Sequence, residues 1–448
     1  MNPKIYLFIS ILILFIACGE NRKNSNNEEN ISLESNLRIV HCQEMQRKNK
    51  FFDYGSIQAP KVEPMDKNRL LIQKSDTPNQ TISFDKKGLY TLFRTEYYWA
   101  SFVAQDFNYN PYSTPQTLID ALKYKKDRWS FAITTKEYND VTSQKSVGIG
   151  VVCQSFEFGC LITYVRLDSP ADKIDLRRGD IISKINGINA TEELFYQEAQ
   201  KDKELTLEIM RNDTQQICQG SVTPQEYTYQ VVDSKILEIP EAQRVAYLRI
   251  DSFLGEENIE KELERTFEIF KKEKIKNIVI DLRYNGGGSV DLASKLLNRL
   301  STTLVGEEQF TLAWNNNYQF NNQTYQFKRV GSALNLEQII FLTTEHTASA
   351  SELIISALQP YIDANNLVVI GERTHGKPVG MGAKSDGNYY YFLINFVVKN
   401  SVGYYDYFDG LPVTKGCEVD DDPFHEMGDP NEAMLKSALN YIVNGSCQ

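Results

Sequence analysis

A serine and a lysine, each set among small residues, carry the most concrete chemistry in this chain. Thr347-Ala348-Ser349-Ala350-Ser351-Glu352 follows an apolar, strand-like run, and Gly376-Lys377 lies downstream after a second such run. Small neighbours let a substrate carbonyl approach the Ser349 hydroxyl, and a lysine in a glycine-flanked loop can reach in from the side. Ser349 is expected where a strand gives way to a helix beginning near Ala350. There the helix dipole favours a developing oxyanion and the Ala350 N–H can donate to it. A free lysine has a pKa near about 10.4, so Lys377 works as a base only if burial lowers that value. A drop of about three corresponds to roughly 4 kcal/mol against the charged form. A third segment, Asp281-Leu282-Arg283-Tyr284-Asn285-Gly286-Gly287-Gly288, leaves backbone N–H groups bare beside its glycines. That suits an anion, a phosphate or a plain βα turn, although neither GxGxxG nor the Walker lysine spacing is present. His375 is a rival base, but no G-x-S-x-G elbow accompanies it.

These residues need a scaffold, and from about residue 226 to 448 the sequence supplies strands and helices in alternation. Strands are expected at 245–250, 275–282, 339–343, 367–370 and 388–399, and helices at 256–272, 290–300, 350–358 and 430–443. The pattern predicts an α/β domain with a largely parallel core.

Residues 141–225 differ. Gly148-Ile149-Gly150-Val151-Val152 opens a strand, and residues 161–165 form another. Ser169-Pro170-Ala171 starts a short helix, and Gly179-Asp180-Ile181 leads into a strand ending in an Asn186-Gly187 turn. In this order the pieces resemble a PDZ domain. That resemblance implies peptide capture at a sheet edge, with Gly148, Ile149 and Gly150 as the loop receiving a terminal carboxylate.

The region 37–140 is expected to be a small, mainly helical domain. It has an aromatic helical stretch from Tyr90 to Phe107 and a second helix entered through Ser113-Thr114-Pro115. Trp99, Phe102, Phe107 and Trp129 are read as core packing, and no chemistry is assigned there. Residues 1–17 have the charge and apolar length of a signal peptide, too short to span a bilayer. Phe15-Ile16-Ala17-Cys18-Gly19 resembles a bacterial lipobox, with Cys18 as the lipidated residue and 18–36 as a polar tether. The expectation is an exported, lipid-anchored protein of the cell envelope, periplasmic or at the outer surface. The six other cysteines, Cys42, Cys153, Cys160, Cys218, Cys417 and Cys447, are an even number in a compartment that permits disulfides. Cys153 with Cys160 and Cys417 with Cys447 are candidate pairs, free buried thiols being the alternative. No cysteine or histidine spacing suggests a metal, and no cofactor is expected. The formal net charge of −11 argues against nucleic acid or an anionic lipid face as the main partner.

Taken together, the three motifs in register behind a PDZ-like segment resemble the C-terminal processing peptidases of the tail-specific protease family. The resemblance covers about residues 140–445 and implies an α/β protease core of the ClpP/crotonase-like type. It also implies a serine endopeptidase acting on polypeptides with free or unstructured C-termini. Ser349 would be its nucleophile, Lys377 its general base, and Gly287 with Ala350 its oxyanion donors. Members often carry a glutamine four residues after the lysine; here Met381 stands in its place, Pro378 replaces a glycine and Thr347 a serine. The rival reading is a noncatalytic relative that binds peptides or apolar ligands.

Overall fold

The computed structural model describes residues 41–44 and 82–448, apart from 144, 212–213, 215 and 240–242. The expected signal peptide, Cys18 and the tether lie outside the described residues. Four parallel strands, Gln243–Ile250, Asn277–Asp281, Gln338–Thr343 and Leu367–Gly371, form the central sheet, with Val232–Ile239 antiparallel on the outside of the first. Both faces are covered, so the middles of these strands are mostly apolar. Helices Glu256–Lys272, Val290–Leu300 and Ala350–Leu358 share one core, and Ala433–Asn444 packs into another with Ile340, Leu342, Val368 and Ile370. The first helix places Ile259, Leu263, Phe267 and Phe270 at helical spacing, which makes one buried stripe.

Register decides where chemistry sits. Asp281 pairs with Leu342, and Thr343 with Gly371. The chain therefore leaves three parallel strands at one edge of the sheet, and the glycine turn, the serine segment and the lysine loop all begin there.

A second, antiparallel sheet joins Gln323–Gln326, Glu308–Trp314, Tyr389–Asn400 and Val379–Ser385, with Phe131–Thr134 also pairing onto Tyr389–Phe392. Four of these strands were not anticipated. Gln323–Gln326 is polar throughout, and Val379–Ser385 carries two glycines that lower its apparent strand character. Gly380 is there for space: a Cβ would lie 2.1 Å from the Phe396 ring.

The N-terminal segment shares its core with this second sheet. Phe93, Tyr97 and Trp129 pack with Val379, Met381, Ile394 and Val397. Helix Lys86–Thr95 starts at Asp85, whose carboxylate accepts from Gly88 N at 2.8 Å. It ends at Thr95 rather than running on to Phe107, because the Tyr98 N–H is bonded to Ile394 O at 2.7 Å across the sheet. Trp99 and Trp129 are buried as expected, whereas Phe102 is 65% exposed and stacks on Tyr124.

In the PDZ-like region the sheet runs from His41–Glu44 through Gln216–Val222, Leu205–Arg211, Ile181–Ile185 and Gly159–Val165 to Val151–Phe156 at its far end. Asn186 and Gly187, both at positive φ, make the expected tight turn. Cys153–Cys160 and Cys417–Cys447 are disulfides. Cys218 is also disulfide-bonded, and Cys42 stands directly opposite it in the strand pairing. The free-thiol alternative is thus overturned for the two predicted pairs.

Candidate active site

Ser349 is half-buried at the entry to helix Ala350–Leu358, with φ 59° and ψ −116°. That backbone region is costly for a side-chain-bearing residue, about 1–3 kcal/mol, and persists only when its surroundings impose it. Here they do. Thr347 Oγ1 donates to Leu282 O at 2.8 Å, Ala348 N to Asn285 O at 3.1 Å, and Ser351 Oγ to the same carbonyl at 3.0 Å. The serine segment is therefore pinned to the glycine turn on both sides of Ser349, which gives Ser351 a structural task.

The glycine turn closes against the serine. Gly287 has φ 101°, and an added Cβ would fall 2.7 Å from Ser349 Cβ and 3.0 Å from Ala350 N. Only glycine fits both the conformation and the space. The Gly287 N–H donates to Asn285 Oδ1 at 2.8 Å, and Asn285 Nδ2 in turn to Ile250 O at 2.9 Å. Ala350 N–H is the first of its helix, one of the amides that have no intrahelical acceptor.

Glu352, quoted in the motif but given no task by sequence reasoning, joins the parts. Its buried carboxylate accepts from Ser349 N at 2.8 Å, Thr374 Oγ1 at 2.6 Å, Gly376 N at 2.7 Å and Lys377 N at 2.8 Å. Burial pushes its carboxyl pKa up, and these four hydrogen bonds pull it back. One carboxylate thus ties the backbone of the serine to the backbone of the lysine. An S/T-x-x-E pattern starting a helix was the available signal.

Lys377 is 1% exposed, and its Nζ has no hydrogen-bond partner. Desolvation pushes its pKa down to about 7, against the pull of the Asp127 and Glu352 carboxylates. His375 lies in the same loop, with Nε2 accepting from Trp129 Nε1–H at 3.2 Å. Burial, then the nearby Arg128 and Lys377 charges, push it down to about 4, so it is neutral at ordinary pH. With Nε2 occupied by a donor, His375 is not arranged to take a proton from a serine.

Behind the glycine turn lies a buried charge network. Arg283, fully buried, binds Asp281, Asp421 and Glu432, at 2.6 Å to Asp421 and 2.9 Å to Glu432. Arg178 of the PDZ-like region reaches the same Asp421 at 2.7 Å and Tyr284 Oη at 2.7 Å. The two guanidiniums hold the Asp421 carboxyl well below the usual carboxylate range despite burial. Breaking one partner of such a network leaves a buried charge uncompensated, which fixes the PDZ-like region against the turn.

In the segment 148–150, Gly148 and Gly150 are both at positive φ, Ile149 O accepts from Ala171 N, and Gly150 O from Arg166 N. Gly148 itself ends strand Lys145–Gly148, and the following strand opens at Val151. The groove beside it, between Val151–Phe156 and helix Glu192–Ala199, is bridged from within. Tyr196 Oη donates to Cys153 O at 2.9 Å and accepts from Cys153 N at 3.2 Å, and Glu192 Oε2 accepts from Ser155 N at 2.9 Å.

This fold is similar to that of the S41 peptidases that carry a PDZ domain. The family descriptions match in chain order: Peptidase S41 N-terminal domain over residues 86–131, PDZ domain over 161–211 and Peptidase family S41 over 244–387. The chain is 28% identical over 276 residues to a probable CtpA-like serine protease of Staphylococcus aureus, an alignment covering 58% of this chain and 51% of that one. A protein of the same description from Staphylococcus epidermidis is 28% identical over 331 residues, covering 68% and 62%. The chain thus spans about half the length of the first of these relatives. Among solved structures, a putative S41 protease from Bacteroides fragilis has the same fold, with a TM-score of 0.71 at 22% identity over 82% of this chain and all of that one.

Proposed function

We propose that this chain is an exported serine endopeptidase that engages polypeptide C-termini through its PDZ domain and cleaves peptide bonds through an acyl-enzyme on Ser349. The observation that carries the reading is Lys377: a fully buried amine without a partner, its pKa pushed down to about 7, in a loop that Glu352 ties to the Ser349 backbone. A half-neutral amine at neutral pH is what a general base requires.

Neutral Lys377 takes the Ser349 hydroxyl proton while Oγ bonds to the scissile carbonyl carbon, and the C=O electron pair moves onto oxygen. Ala350 N–H meets that oxyanion. The Gly287 N–H, bonded to Asn285 Oδ1 in the resting molecule, is drawn to the charged and stronger acceptor. Collapse breaks the C–N bond, and the Lys377 ammonium protonates the leaving amine. A water then loses a proton to Lys377 and attacks the ester carbon, and as the C–Oγ bond breaks the Lys377 ammonium returns that proton to Ser349 Oγ.

Export is supported by the disulfides at Cys153–Cys160 and Cys417–Cys447 and by the bonded Cys218, which belong to an oxidising compartment. Anchoring through lipidated Cys18 belongs to the same reading. Among the described residues no helix is long and apolar enough to cross a membrane. The test is degradation of a denatured protein by wild type and by Ser349→Ala. Equal rates would sink the peptidase reading in favour of a noncatalytic peptide-binding relative.

A further inference from the structure

The loop that carries Lys377 is held from two sides. Its backbone N–H groups face the serine segment: His375 N donates to Thr347 O at 2.9 Å, and Gly376 N and Lys377 N donate to the Glu352 carboxylate at 2.7 Å and 2.8 Å. Its other side meets the N-terminal segment at consecutive residues. Trp129 Nε1 donates to His375 Nε2 at 3.2 Å, and Arg128 Nη2 donates to Gly376 O at 3.3 Å and to Phe408 O at 2.8 Å. Gly376, at φ 86°, is the joint immediately before Lys377, and an added Cβ there would lie 2.3 Å from Phe408 O. Pro378, on the far side, restricts Lys377 itself to extended backbone. The direction in which the lysine leaves its loop is therefore set at residues 375 and 376, the two that Arg128 and Trp129 grip.

The gripping turn is itself rigid. It closes on the Asp127 carboxylate, which accepts from Trp129 N and Ser130 N at 2.9 Å each, from Ser130 Oγ at 2.5 Å and from Tyr97 Oη at 2.8 Å. Ser130 Oγ also accepts from Ile394 N at 3.1 Å, which anchors the turn to the second sheet. Trp129 is fully buried, and an indole N–H can only donate, so His375 Nε2 carries a lone pair and the ring proton sits on Nδ1. Burial, then the Arg128 and Lys377 charges, push the His375 pKa down to about 4, so the ring keeps that neutral form. We infer that Trp129 and His375 are positioning residues for the peptidase reaction: the indole-to-imidazole hydrogen bond fixes the His375 ring and, with the Arg128 bond to the Gly376 carbonyl, sets the backbone from which Lys377 projects. The inference rests on the reading of Lys377 as the base. Trp129, packed in the core of the N-terminal segment, thus has a second task, and the peptidase site is incomplete without that segment.

The test compares His375→Gln with His375→Leu in the full, oxidised chain. Glutamine offers an acceptor oxygen where Nε2 stood, and leucine fills a similar volume with none. With a denatured protein as substrate, H375Q is expected to keep kcat within about threefold of wild type, whereas H375L and Trp129→Phe lose roughly tenfold or more with KM unchanged, since a small misplacement of a reacting group is costly. W129F and H375L combined should be no slower than the slower single variant, because both remove the same bond. The bond is also read without turnover, by nitrogen-15 NMR of the three indole N–H groups. W129F identifies the Trp129 signal, and H375L, but not H375Q, should move it while the other two stay in place and report an intact fold. Should H375L not fold, W129F against H375Q carries the same comparison. An H375L or W129F as fast as wild type, an H375Q as slow as H375L, or a Trp129 signal that H375L leaves unmoved overturns the inference. The base assignment is judged separately by Lys377→Met: a K377M variant that still cleaves sinks it, whatever the His375 variants do.

Discussion

Replacing Lys377 by Met should abolish peptidase activity and stabilise the protein, most strongly at low pH. Lys377 is 1% exposed with an unpartnered Nζ, and burial pushes its pKa down to about 7. In the unfolded chain it titrates near about 10.4. Between these values the unfolded state holds a proton the native state has released, so stability rises with pH from about 7 to about 10.4 and is flat below. The depressed pKa corresponds to about 5 kcal/mol of penalty against the native state once the amine is charged. Methionine fills similar volume without that penalty, so K377M should be more stable than wild type by up to about 5 kcal/mol at pH 6. Its advantage should shrink steadily towards pH 10. The assay is denaturant unfolding of both proteins, disulfides intact, at four pH values. A K377M variant no more stable than wild type at pH 6, or an advantage that does not shrink as pH rises, would refute the reasoning. In wild type, kcat/KM should rise through about pH 7 with the neutral amine.

Gly287→Ala should remove activity and cost about 1–3 kcal/mol of stability, since the new Cβ meets Ser349 Cβ at 2.7 Å in a positive-φ conformation; kinetics and thermal melts read both. Tyr196→Phe combined with Glu192→Gln should tighten binding of a peptide with a free C-terminus by roughly tenfold. The bridges to Cys153 and Ser155 compete with an added strand, each hydrogen bond contributing about 1 kcal/mol. Calorimetric titration that gives equal or weaker binding counts against a self-bridged groove. Cys447→Ser opens the bridge to Cys417, which closes 30 residues, and should destabilise by about 3–4 kcal/mol in denaturant melts.

How much was legible follows from what each feature depends on. Local order was readable where side chains answer to their own neighbours. The short apolar runs 278–280 and 339–342 read as strands buried on both faces, and the stripe from Ile259 to Phe270 as one side of a helix. The serine, lysine and glycine segments were identifiable because small residues and glycines at fixed offsets serve close approach. Glu352 was in view, yet its four bonds were not, because three of its donors lie in or beside a loop more than twenty residues away. Strands Glu308–Trp314 and Val379–Ser385 were missed since their pairing with Tyr389–Asn400 is long-range and their glycines and polar residues obscure the alternation.

The sequence by itself determined the kinds of groups available: a hydroxyl at a helix entry, an amine in a glycine-flanked loop, bare amides at a turn, and cysteines in even number. Only the tertiary structure decided what those groups are worth. The parallel register brings three loops to one edge, Glu352 ties two of them together, and burial pushes the pKa of an ordinary lysine down to about 7. It also brought Arg128 and Trp129, remote in sequence, against the lysine loop, and tied strand Val151–Phe156 to helix Glu192–Ala199. The physical reason is that ionisation and hydrogen-bond satisfaction depend on solvent exclusion and on partners distant along the chain, which no local pattern encodes.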